Sequence, residues 1–117
     1  MVEGISIIMP AHNEEKRIDK TLENYLYYFR GLKEKGKIDF EIIVVLNNCK
    51  DKTLDVVKRH NCKELKILDF ETGGKGFAII KGFKEALKSK FELIGFVDAD
   101  MATPPNAFYG LIRNIGE

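Results

Sequence analysis

Tryptophan is absent, and 117 residues hold only two cysteines, two histidines and three prolines. Cys49 and Cys62 are too few for a disulfide framework. No secretory leader precedes them, so both read as free thiols in a reducing compartment. His12 and His60 have no ligand spacing around them, which argues against a Cys/His metal cluster. An excess of charge is missing too. Nineteen basic residues face eighteen acidic ones, a net charge of +1, which leaves no electrostatic case for nucleic acid or an anionic membrane surface. Basic residues do gather at Lys33 to Lys37, but acidic ones interleave, as on a solvated helix end. The longest unbroken apolar run is Ile42 to Leu46, far short of the roughly 20 residues a membrane helix needs. The chain therefore reads as soluble and cytoplasmic. Contact with the cytoplasmic face of a membrane would have to come through a segment missing from it.

What is present is alternation. Ile5 to Met9, Phe40 to Leu46, Leu65 to Phe70 and Leu93 to Val97 are short apolar runs that read as buried strands, the third partly alternating and so nearer a sheet edge. Between and after them lie helical patterns. Ile18, Leu22, Tyr25, Leu26, Phe29 and Leu32 form one stripe, closed by Lys35-Gly36-Lys37. Thr53 to His60 is a short helix with Asp51 or Thr53 as its cap. Gly76 to Lys88 is expected to turn Ile79, Ile80, Phe83, Ala86 and Leu87 to the core. A last helix starts at Pro104-Pro105 with Phe108, Leu111, Ile112 and Ile115 inside. On this reading every obvious apolar face is needed for the core.

Four strand-helix repeats in one domain argue an α/β fold, a Rossmann-like three-layer sandwich of four mainly parallel strands with helices on both faces. Ligands of such sheets bind outside the carboxyl ends of the strands. The loops there are 10–14, 47–51, 73–76 and 98–100, the stretches richest in polar and special-backbone residues.

Each loop has a chemistry. In "FVDADMATPP" an apolar run ends in Asp98-Ala99-Asp100. Two nearby carboxylates repel and need compensation, and magnesium or manganese suits their oxygens. The plainer alternative has one aspartate capping the next helix and the other solvated. "TGGKGFAI" leads glycines and Lys75 into a helix, where backbone amides can hold phosphate, although the spacing is not that of a P-loop. "PAHNEE" places Pro10 straight after a strand and Glu14-Glu15 in a helix's first turn, where acidic side chains suit the helix dipole. In "LNNCKDKT" Asn47 can bond to a nucleobase edge, or serve an Asx turn and cap.

Taken in order, these motifs resemble the family 2 glycosyltransferases of GT-A fold. The residues that carry the resemblance are "IIMPAHNEE", "VVLNNCKDKT", "GKGFAIIKGF" and "VDADMATPP", and the last is most similar to dolichol- or polyprenyl-phosphate mannose and glucose transferases. The resemblance runs from residue 5 to about 112. It implies strand order 3-2-1-4 and an inverting enzyme that takes its sugar from a nucleoside diphosphate of the GDP-mannose or UDP-glucose class. The acceptor would be a polyprenyl phosphate or a glycan. It implies that Pro10, Ala11, His12 and Glu14 cradle the nucleotide, that Asn47 reads the base, and that Lys75 and Gly76 lie beside the nucleotide. Asp98 and Asp100 would hold Mn2+ or Mg2+ and the diphosphate. His12 stands where the family often has tyrosine, and Leu46-Asn47 where it often has two aspartates, so the base stays open between guanine and uracil. Family catalytic domains run about twice this length. The missing half would hold the acceptor site and the general base, and no catalytic base is assigned within residues 1–117. Two alternatives remain: a non-catalytic nucleotide-binding module, and a haloacid dehalogenase-type phosphatase, whose own Asp-Xaa-Asp belongs on a first strand rather than a last one.

Overall fold

The computed structural model describes residues 3–113. Four strands, β1 (Gly4–Ala11), β2 (Asp39–Asn47), β3 (Leu65–Phe70) and β4 (Leu93–Phe96), alternate with α1 (Ile18–Glu34), α2 (Thr53–Lys58), α3 (Lys75–Ala86) and α4 (Pro105–Arg113). All pairings are parallel, and the sheet order is β3-β2-β1-β4, as expected. Strand alternation sorts the side chains. Ile5, Ile7, Met9 and Ala11 of β1, with Phe40, Ile42, Val44 and Leu46 of β2, face a core shared with α1, α2 and α4. Ile8, Ile43 and Val45 face α3.

The first helix ends as its sequence implies. Gly36 takes φ 71°, its N–H bonds the Lys33 carbonyl, and the Lys37 N–H bonds the Leu32 carbonyl. This pair of bonds satisfies carbonyls that the helix leaves open.

Four expectations need correction. Pro10 lies within β1, paired with Val45, rather than after it. The Ile8 carbonyl accepts from Val97 on the β4 side, so Pro10, two residues on, turns its hydrogen-free nitrogen to the same side. The β1–β4 ladder has already stopped there, at Ile8 and Phe96, and no hydrogen bond is lost. Glu14 and Glu15 fall in a turn ahead of α1, which begins at Ile18. β4, expected as a buried strand, lies at the edge that the order 3-2-1-4 implies and is only half-buried over Leu93 to Gly95 and exposed at Phe96, because nothing among the described residues pairs with its outer side. Finally, α3 buries Ala78, Gly82 and Ala86. Ile80 (56%), Phe83 (41%) and Leu87 (64%) are exposed, so not every apolar face serves the core. Leu111 of α4 is exposed as well, and Ile115 lies outside the described residues. Among the described residues no helix is long and apolar enough to cross a membrane.

Candidate functional site

The loops after the four strands meet at one end of the sheet. Each contains one residue of positive φ: Asn13 (52°), Asn48 (54°), Gly73 (107°) and Met101 (60°). Asparagine tolerates this region and methionine does not, so Met101 is a strained position.

Side chains lace the first two loops together. The Asn13 Oδ1 accepts from the Lys50 N–H at 2.7 Å, and the Thr53 hydroxyl oxygen from the Glu14 N–H at 2.9 Å. Asp51 accepts from the N–H groups of Thr53 at 3.0 Å and Glu15 at 3.3 Å, and from the Thr53 hydroxyl. Burial pushes the Asp51 carboxyl up, but the bonds from Thr53 and Glu15 outweigh it and hold the group below the usual range. The cap position of α2 is Lys52, which makes no side-chain cap bond, so neither Asp51 nor Thr53 is the N-cap as expected; the Asp51 carboxylate, one residue earlier, takes the Thr53 N–H instead. One nitrogen of His12, Nδ1, lies 2.9 Å from the Asn47 carbonyl. Asn47 is buried, and its amide donates to the Gly73 carbonyl over a long 3.4 Å, which ties in the third loop.

The acidic loop continues the alternation of β4 past its last ladder pair. Val97 and Ala99 are buried in the core, while Asp98 and Asp100 are exposed on the other side. Lys75, the first residue of α3, donates to the Asp98 Oδ1 at 2.7 Å. This hydrogen bond, and then the charge of Asp98, hold the Lys75 ammonium above its ordinary value, and Asp100 adds to it. The Asp100 Oδ1 accepts from the Ala102 N–H at 3.0 Å. The carboxylate pair is therefore partly balanced by the chain itself.

A cleft of about 350 Å³ is lined by Pro10, Ala11, His12, Glu14, Arg17, Asn47, Lys75, Asp98, Ala99 and Asp100. Eight of the nine residues singled out from the sequence meet here. The ninth, Gly76, belongs to α3 and is not part of the lining. Arg17 was missed. It pairs with Glu14 and brings a second cation to the cleft, and nothing in its local sequence marks it among the other basic residues. A larger hollow of about 670 Å³ runs along the outer face of α1, but it lies away from the strand ends.

The donor set at Asp98 and Asp100 fits a hard divalent cation only in company. Among the described residues no three His, Cys, Asp or Glu side chains converge. Two exposed carboxylates suit an ion whose remaining ligands are phosphate oxygens and water, as is usual for magnesium. Lys75 and Arg17 line the same cleft and bring positive charge to it.

Comparison with known proteins agrees with this fold. Residues 6–117 match the family described as Glycosyl transferase family 2. The dolichyl-phosphate beta-glucosyltransferase ALG5A of Trichomonas vaginalis is 38% identical over 116 residues, 95% of this chain and 35% of that protein. The crystal structure of S. aureus TarS 1–349 in complex with UDP-GlcNAc matches with TM-score 0.71 and 28% identity, over 94% of this chain and 30% of that one. The mannosyltransferase PcManGT from Pyrobaculum calidifontis, in complex with GDP-Man and Mn2+, matches with TM-score 0.78, over 100% and 33% of the two chains. At 20% identity it speaks for the fold alone. The architecture is that of the GT-A glycosyltransferases. The chain spans about a third of the length of the curated relatives it matches.

Proposed function

The chain belongs to glycosyl transferase family 2, and on that premise we propose that it forms the donor-binding part of an inverting glycosyltransferase. The donor is a nucleoside diphosphate sugar of the UDP-glucose or GDP-mannose class, held together with a divalent cation. The acceptor class is a polyprenyl phosphate. The family match leaves no place for the phosphatase alternative.

One observation carries the reading: Asp98 and Asp100, exposed on one side of the loop after β4, share a cleft with Lys75, which is bonded to Asp98, and with Arg17, His12 and Asn47. Asp98 and Asp100 would hold the cation, which when bound supplies positive charge for the diphosphate as it leaves. Lys75 would exchange Asp98 for a phosphate oxygen, since its bond to Asp98 lies at an exposed surface. Asn47 and His12 would meet the base. An Asn side chain offers one carbonyl acceptor and one amide donor, which leaves the choice of base to experiment. Support for donor and acceptor comes from the relatives' names: a dolichyl-phosphate glucosyltransferase, and a neighbour of 28% identity solved with UDP-GlcNAc.

Calorimetry with UDP-glucose and GDP-mannose, in manganese and in chelator, tests this. Affinity should rise with manganese, and Asp100→Asn should remove more of the increment than Glu14→Gln. Equal affinity in manganese and chelator would refute the metal's role.

A further inference from the structure

The two acidic side chains are only as well placed as the loop that carries them, and that loop contains the strained Met101. Two buried hydroxyls on α1 reach it. Thr21, fully buried, places its Oγ1 2.6 Å from the Ala99 carbonyl and 3.0 Å from the Arg17 carbonyl of its own helix. Its single proton goes to the nearer partner. Tyr25, also fully buried, donates its hydroxyl to the Thr103 carbonyl at 2.5 Å. Four residues apart, the two side chains sit one turn from each other on the same helix face. Their acceptors bracket Asp100, Met101 and Ala102.

We propose that Thr21 and Tyr25 are positioning residues: by fixing the carbonyls of Ala99 and Thr103 they hold the acidic loop in the strained form that presents Asp98 and Asp100 on one side. The loop's own bonds do not suffice for this. The Asp100 carboxylate takes the Ala102 N–H at 3.0 Å, and the Met101 N–H reaches the Asp98 carbonyl only at 3.4 Å. Both sit at the exposed end and would survive a swing of the whole loop. The anchors from α1 set its direction. Burial pushes Tyr25 up to about 12, so it remains a donor throughout the neutral range.

The inference rests on the donor reading above for its ligand test, but the loop can also be followed without ligand. The variants are Tyr25→Phe, which keeps the ring stacked on Phe29, Thr21→Val, and Thr21→Ser, which keeps the hydroxyl. Amide hydrogen exchange over residues 99–103 of the ligand-free chain should speed up in the first two and stay near wild type in Thr21→Ser. Losing one hydrogen bond should weaken the manganese-dependent part of donor affinity about tenfold and leave affinity in chelator unchanged. Unchanged exchange in Tyr25→Phe, which does not disturb packing, would overturn the proposal. So would an equal loss in manganese and chelator, which would mark a merely structural role. If the wild-type chain shows no manganese-dependent binding, the donor reading fails and the exchange data alone decide the positioning.

Discussion

The two faces of the sheet are held in different ways. On one, α1 and α4 bring large rings together. Phe29 lies between Tyr25, Phe40 and Phe108, with ring centroids 5.6–6.2 Å away, and the core there extends from Ile5 to Ile112. On the other, α3 meets Ile8, Ile43 and Val45 through Ala78 and Ala86, with Gly82 between them. Its bulky residues point outward. The site lies across this division. The acidic loop is anchored to α1, while Lys75 comes from α3. A deep aromatic core therefore fixes the carboxylates, and a helix seated by small side chains supplies their countercharge.

The widest gap should appear in stability. Phe29→Ala empties the centre of the aromatic cluster and should cost about 3–5 kcal/mol. Ile80→Ala, a large apolar loss on the exposed side of α3, should change stability by no more than about 0.5 kcal/mol. Urea unfolding of the two variants measures the contrast, and similar costs would abolish it. Next comes Gly82→Ala. A Cβ there would lie 2.5 Å from Ile8 Cγ2 and 3.1 Å from Val45 Cγ2. Both atoms are branched close to the backbone of central strands and cannot swing away. The expected cost is about 1–3 kcal/mol. A neutral result would mean that α3 is seated loosely enough to back off.

The same contrast explains what could be read from the sequence. Strands, helices and sheet class followed from runs and stops such as Lys35-Gly36-Lys37, because local pattern and tertiary packing agree there. The inner face of α3 did not. Ala78, Gly82 and Ala86 recur every four residues, but so do Ile79, Phe83 and Leu87, and periodicity favours the more apolar stripe. Close approach to Ile8 selects the smaller one, and that distance exists only in the folded chain. The same holds at the site. Eight lining residues were legible because they sit at strand ends or in the loops that follow: Pro10, Ala11 and Asn47 close β1 and β2, and Lys75 opens α3. Arg17 stands just ahead of α1, and Thr21 and Tyr25 act from within that helix, whose pattern signals packing alone. Thr21 does leave one faint signal, a small polar residue beside the stripe of Ile18, Leu22 and Tyr25.

A smaller effect concerns the lacing between the first two loops. The Asp51 carboxyl is held below its ordinary value in the folded chain. Its contribution to stability is therefore complete above the unfolded value of about 3.9. It is lost as pH falls through the lower, folded value. Urea midpoints followed downward from pH 6 should decline more gently in Asp51→Asn than in wild type. Parallel declines would mean that Thr53 and Glu15 do not depend on the charge of Asp51.

The smallest effect should come from Met101, and its sign matters more than its size. A non-glycine residue at φ 60° costs roughly 1–2 kcal/mol relative to one in a right-handed conformation. Glycine removes that strain but loses about 0.5–1 kcal/mol through the entropy of the unfolded chain. Met101→Gly should thus raise stability by at most about 1.5 kcal/mol, seen as a slightly higher Tm. If α1 holds the loop in place through Thr21 and Tyr25, the strain is imposed from the firm side, and relieving it leaves the position of Asp98 and Asp100 intact. Manganese-dependent donor affinity should then stay near wild type in Met101→Gly. A loss of that affinity with unchanged stability would show instead that the methionine's own backbone preference, and not the anchors beneath it, shapes the acidic loop.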